Sequence, residues 1–189
     1  MTPEAVMEEI ERRAPKDGLP IIGPKRGVLL DEVVVSRKPS TILEVGTLVG
    51  YSAIRMARHL EPGQKVTCVE LKDEMAKTAR SNAMKAGLSD RIEVKVGDAK
   101  KVLPTLSGKF DMVFLDAVKK DYLDYLNSVE RLLRKGSVVV ADNVKSHADE
   151  VKGYLDYVRH SGKYASTYRE SGPNYGTDEG DAVEISVKL

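Results

Sequence analysis

The 189-residue chain predicts an α/β fold, a doubly wound and mostly parallel sheet that closes on an antiparallel C-terminal strand. Three observations carry this. Short apolar runs alternate with amphipathic stretches along the chain. Two of those runs, Met112-Val113-Phe114-Leu115 and Val138-Val139-Val140-Ala141, are continuously apolar, as parallel strands buried on both faces are. The last residues alternate with a period of two. The length fits a single domain, residues 1–189, with a core large enough to need no staple.

The elements follow in order. Met1 to Arg13 carries Glu4, Glu8, Glu9 and Glu11, without the basic start and apolar run of a signal peptide. Thr41-Ile42-Leu43-Glu44-Val45 is a strand closed by Gly46, and Tyr51 to Leu60 is helical up to Pro62-Gly63. Lys65 to Glu70 is extended. Asp73 and Glu74 then open a helix that Lys85 and Gly87 close, acids at the positive end of the dipole and a cation at the negative end. Arg91 to Val96 alternates like a strand, with a short helical piece around Val102. After the strand ending at Asp116, the apolar residues Tyr122, Tyr125, Leu126, Val129, Leu132 and Leu133 form one helix face, ended by Arg134-Lys135-Gly136. The next strand ends at Asp142. Val183, Ile185, Val187 and Leu189 alternate with Ala182, Glu184, Ser186 and Lys188, the mark of a half-exposed antiparallel strand.

Composition narrows the function. Thirty basic against 29 acidic residues give a formal charge of +1, which argues against a domain built to neutralise phosphates. The single Cys68 has no partner for a disulfide or a zinc site, so it reads as a small buried hydrophobe in a reducing, cytoplasmic setting. His59, His147 and His160 lack metal-ligand spacing and read as surface residues. No segment has the run of about 18 apolar residues that a membrane span needs.

In an open parallel sheet, ligands bind beyond the carboxyl ends of the strands. Those ends here are Glu44-Val45-Gly46, Glu70, Gly97-Asp98, Asp116 and Asp142-Asn143, a polar rim. Gly46 and Gly50 give G-x-x-x-G, not the G-x-G-x-x-G of a pyrophosphate turn, which disfavours a nicotinamide oxidoreductase. Glu70 stands where a carboxylate accepts from ribose hydroxyls, or is a solvated loop acid. Asp116 and Asp142 end adjacent buried strands, where like charges repel unless a cation intervenes; a hard divalent ion, magnesium first, answers that cost with Asn143 as a third oxygen donor. The alternative is that Asp142 and Asn143 cap the next helix. Lys119 is the nearby candidate base, provided its amine is brought below the ordinary value of about 10.4; otherwise Lys119-Lys120 is a solvated helix start. A non-catalytic binding module would leave the acids at both inner strand ends without a purpose.

The stretches Leu43-Glu44-Val45-Gly46, Val49 through Arg58, Val113-Phe114-Leu115-Asp116, Leu132 through Gly136 and Ala141-Asp142-Asn143-Val144 resemble the catechol O-methyltransferases, in order and spacing, from about Ile22 to Arg169. The resemblance implies a Rossmann-like class I methyltransferase fold with a seven-stranded sheet. It implies S-adenosylmethionine as donor, Mg2+ or another divalent cation as cofactor, and a small catechol-like acceptor, in a monomer or homodimer. It assigns donor contacts to Ile22, Glu44, Gly46, Tyr51, Ser52, Glu70, Leu71, Asp98, Ala99 and Asp116, metal binding to Asp116, Asp142 and Asn143, and the base to Lys119. Proteins similar in fold methylate a hydroxylated tRNA uridine or a caffeoyl-CoA-like ester. Lys100, Lys101, Lys119 and Lys120 could make a local basic patch, although the near-neutral charge disfavours RNA. The chain departs from the family at the acceptor: it has no Trp, with Gly18 or Leu19 and Val118 at the aromatic-wall positions and His147 in place of a common proline. The family's acidic contact to the second hydroxyl aligns with Asn174 or Tyr175, near Asp178 and Glu179.

Overall fold

A computed structural model describes residues 1–173 and 180–189. Seven strands form one sheet in the order β3-β2-β1-β4-β5-β7-β6: β1 Thr41–Val45, β2 Lys65–Glu70, β3 Ile92–Val96, β4 Phe110–Leu115, β5 Leu133–Ala141, β6 Tyr164–Ser171 and β7 Asp181–Lys188. The pairs from β3 through β5 are parallel, and β7 runs antiparallel to both β5 and β6. The fold is the Rossmann-like one, with its strand-order reversal between β1 and β4.

The period-two pleat sorts each strand's residues between two cores. Met112 and Phe114 pack with α1 (Pro3–Asp17), α2 (Gly23–Arg37), α3 (Tyr51–Ala57) and α4 (Asp73–Lys85). Val113 and Leu115 pack on the other face with α6 (Tyr122–Val129) and α7 (Lys152–His160). A four-residue helix, α5 (Ala99–Val102), follows β3.

Four expectations need correction. Residues 3–37 are two helices that the sequence reading left unassigned, although Thr2 caps the first by accepting from the Ala5 N–H at 3.2 Å, Pro3 begins it and Gly18 ends it with φ +63°. The helix over Tyr122 stops at Val129, and after one 3-10 turn the chain is already in β5 at Leu133, five residues before Val138. Gly136, at φ +86°, lies in the stretch where the β4–β5 register shifts, so it is a strand irregularity rather than a helix stop. Glu184 and Ser186 are buried, because β7 lies inside the sheet and α7 covers its polar face. Arg159 of α7 meets Glu184 with two hydrogen bonds of 2.8 and 2.7 Å, which matches the buried carboxylate with a fork of donors. Lastly, Asp142 and Asn143 do not cap a helix: turns follow them, and α7 begins only at Lys152.

Candidate active site

The carboxyl ends of the strands open into a cavity of about 1550 Å³. Single ligand pockets run to roughly 1,000 Å³, so the space suits two ligands together. All the site residues named from sequence line it except Glu44 and Asp142, which lie fully buried behind its wall.

The turn after β1 fixes one half. Gly46 has φ +90°, and a Cβ there would collide with the backbone carbonyl of Asp116, so β1 and β4 meet closely only through glycine. Gly50, at φ +86°, lets α3 start against Ala79 of α4. Beneath this turn Glu44 accepts from the hydroxyls of Thr47 and Ser52, one on each oxygen. Burial pushes its carboxyl up to about 7, against the opposing pull of those hydroxyls. Glu44 thus stiffens the turn from below, and Ser52 presents the cavity wall above it. Tyr51 is anchored by donating to Glu11 at 2.6 Å and accepting from Arg55 at 3.0 Å.

Glu70 is not a solvated loop acid. It is buried, accepts from the Leu48 N–H at 2.8 Å on one oxygen and from the Lys72 N–H at 2.9 Å on the other, and lines the cavity with its remaining lone pairs. Ile22 contributes an apolar wall at the start of α2, and Leu71 stands exposed at the rim. Asp98 caps α5 by accepting from the Lys100 N–H at 2.9 Å and also lines the cavity beside Ala99.

The ends of β4 and β5 make the other half. The N–H of Asp116 bonds to Val45 at 2.9 Å and that of Asp142 to Leu115 at 3.0 Å, which stacks the two acids at neighbouring strand ends. Lys119 Nζ lies 2.7 Å from Asp116 Oδ1, and 5.4 Å from the centre of the Tyr122 ring. Asn143, held at φ +59°, donates from Nδ2 to Asp181 Oδ2 at 2.7 Å, leaving its amide oxygen as the available acceptor. Burial and the nearby Asp116 push the Asp142 carboxyl up, while Arg26 and Lys119 oppose this.

Sequence reasoning missed Arg26 and Asp181. Arg26 leaves α2 to place Nε 2.6 Å from Asp142 Oδ1 and Nη1 3.9 Å from Asp181 Oδ2. Asp181 also accepts from the hydroxyl of Ser146 at 2.7 Å and from the N–H groups of Ser146 and Ala182. Burial alone would raise its carboxyl, but those hydrogen bonds and that of Asn143 hold it down at about 2. Ser146 gives its one proton to Asp181, so its oxygen accepts from His147 Nδ1 at 2.8 Å. His147 therefore belongs to the cavity wall rather than the outer surface. Gly18, Leu19, Val118 and Lys145 also line the cavity. Asn174, Tyr175, Asp178 and Glu179 lie outside the described residues.

Two carboxylates and an amide oxygen are hard donors of the kind magnesium takes. Asp142 Oδ2 is buried without a hydrogen-bond partner and Oδ1 faces the Arg26 guanidinium, so the carboxylate retains lone pairs fit for a cation. Among the described residues no three His, Cys, Asp or Glu side chains gather into a metal cage, so protein ligands would fill only part of a coordination shell.

The sequence profile of the O-methyltransferase family matches residues 3–154. The chain belongs to the O-methyltransferase family. It is 39% identical over 161 residues to a catechol O-methyltransferase of Sus scrofa, covering 82% of this chain and 86% of the relative. It is 38% identical over 175 residues to catechol O-methyltransferase B of Danio rerio, covering 89% of this chain but only 65% of that longer protein. In structure it resembles the O-methyltransferase from Bacillus cereus in complex with SAH, with a TM-score of 0.86 and 28% identity over 98% of this chain and 91% of the other. Transfer of a methyl group from S-adenosylmethionine to oxygen is therefore the reaction class.

Proposed function

We propose that this O-methyltransferase moves the methyl of S-adenosylmethionine to one hydroxyl of a catechol-type small molecule, with a divalent metal ion as cofactor. One observation carries the reading: a single cavity joins the Gly46 turn and Glu70 to the Asp116, Lys119 and Asn143 side chains at the ends of β4 and β5.

In this reading Glu70 accepts from the donor's ribose hydroxyls and Asp98 with Ala99 borders the adenine. Ser52, fixed by Glu44, and Tyr51 border the donor's methionine part. Holding donor and acceptor in one cavity supplies the orientation that reaction in solution lacks. Asp116, Asp142 and Asn143 are the residues that would hold the metal, which when bound supplies Lewis-acid polarisation and lowers the pKa of an acceptor hydroxyl. Lys119, whose Nζ lies 2.7 Å from Asp116, in its neutral form accepts the hydroxyl proton as the oxygen bonds to the methyl carbon, the S–CH3 bond breaks and S-adenosylhomocysteine leaves. A vicinal pair of hydroxyls suits such a site because both oxygens can reach one ion.

The test is transfer of labelled methyl to small catechols, hydroxycinnamates, acyl-CoA esters and bulk tRNA. The reading expects small catechols to be methylated fastest; product from tRNA or a CoA ester alone would replace the acceptor class.

A further inference from the structure

The acidic rim at the ends of β4 and β5 is met by cations of the chain itself. The described carboxylates there are Asp116, Asp142 and Asp181, and the cations facing them are Lys119 and Arg26. Asp116 has Lys119, and Asp181 is satisfied by Asn143, Ser146 and backbone N–H groups. Asp142 has Arg26 as its nearest cation. The contact is one-pronged: Arg26 Nε stands 2.6 Å from Asp142 Oδ1, while Nη1 faces Asp181 Oδ2 at 3.9 Å. The pair therefore lacks the second parallel hydrogen bond that makes an arginine–carboxylate fork hard to displace. Position matters equally, since Arg26 lines the cavity whereas Asp142 is 0% exposed behind it. Arg26 thus forms part of the wall between Asp142 and the cavity, together with Asp116 and Asn143.

We propose that Arg26 is a positioning residue that covers and neutralises Asp142, so that a divalent ion competes with the guanidinium for this carboxylate. The inference rests on the metal-dependent reading above. Arg26 then does two opposed things. It stabilises buried Asp142, because removing one member of a buried ion pair leaves the other charge uncompensated. It also weakens metal binding, because a cation stays beside the incoming one.

The experiment measures Mg2+ binding by calorimetry at about pH 8.5 in the presence of S-adenosylmethionine, with thermal melting in EDTA and in Mg2+. It compares wild type with Arg26→Met and with Arg26→Lys, which keeps the charge. Arg26→Gln, whose amide can still donate to Asp142, replaces the Met variant should that fail to fold. The neutral variants should melt lower than wild type in EDTA, bind Mg2+ about tenfold more tightly, and gain more in melting temperature from Mg2+. Arg26→Lys should stay near wild type in affinity. Equal or weaker Mg2+ binding by the neutral variants, with wild type binding normally, overturns this role for Arg26 alone. Absence of Mg2+ binding in wild type and variants alike overturns the metal reading and this inference with it.

Discussion

Glu70 combines two duties at one carboxylate, since both oxygens accept from loop N–H groups while the side chain faces the cavity. Glu70→Ala should weaken S-adenosylmethionine binding by about 1–3 kcal/mol, the range for hydrogen bonds to a charged partner; unchanged affinity by calorimetry would remove Glu70 from the donor site. At Lys119, truncation to Ala should leave folding and donor binding in place and lower turnover by about 10²–10⁴-fold, the usual contribution of a general base. Lys119→Arg should not restore it, because a guanidinium does not shed its proton near neutral pH; near wild-type rates in either variant would place the base elsewhere. Glu44 makes a prediction about stability. Its carboxyl keeps its proton up to about 7 in the folded protein but loses it nearer 4.5 when unfolded. Folding free energy from this group therefore declines as pH rises between those values, by up to about 3 kcal/mol. Glu44→Gln cannot titrate, so denaturant unfolding at pH 5 and pH 8 should show the variant gaining on wild type at the higher pH. A constant difference would mean that Glu44 is ionised throughout.

At the scale of elements, the strand ends were the legible part. Continuous apolar runs fixed β4 and β5, and the polar residue ending each run had to emerge at the sheet's carboxyl edge, which places Asp116 and Asp142 side by side. Arg26 was not legible. It lies on α2, to which the sequence pattern assigned no element, and its guanidinium meets Asp142, 116 positions on, only in the folded chain. Glu184 failed for a related reason: period two identifies the polar face of β7, but whether α7 covers it is decided by chain segments far away in sequence. His147 looked like a surface residue until Asp181, 34 positions on, supplied the acceptor that fixes Ser146. The turn after β1 tests how far the site depends on close approach of two strands. Gly46→Ala adds a Cβ against the Asp116 carbonyl at a φ of +90°. It should cost about 1–3 kcal/mol of stability, the scale of a strained backbone position, and depress donor binding together with turnover. A variant with wild-type melting temperature and kinetics would show that the two strand ends can part without consequence.

The whole molecule is a three-layer scaffold whose strand-order reversal brings the β1 turn and the β4 end to one crevice. Among the described residues no helix is long and apolar enough to cross a membrane. The cavity holds room for a donor and an acceptor together, with the acid, amide and amine groups gathered on one side. The reaction proposed for these groups is methyl transfer to a vicinal diol with a divalent ion as cofactor. The most direct measurement is labelled-methyl transfer from S-adenosylmethionine to catechol and to phenol, in Mg2+, after exhaustive chelation, and after Mg2+ is restored. Catechol product is expected in Mg2+, with its loss on chelation, its return with the metal, and almost none from phenol under any condition. Undiminished methylation of catechol after chelation, or equal turnover of phenol, would contradict the proposed reaction.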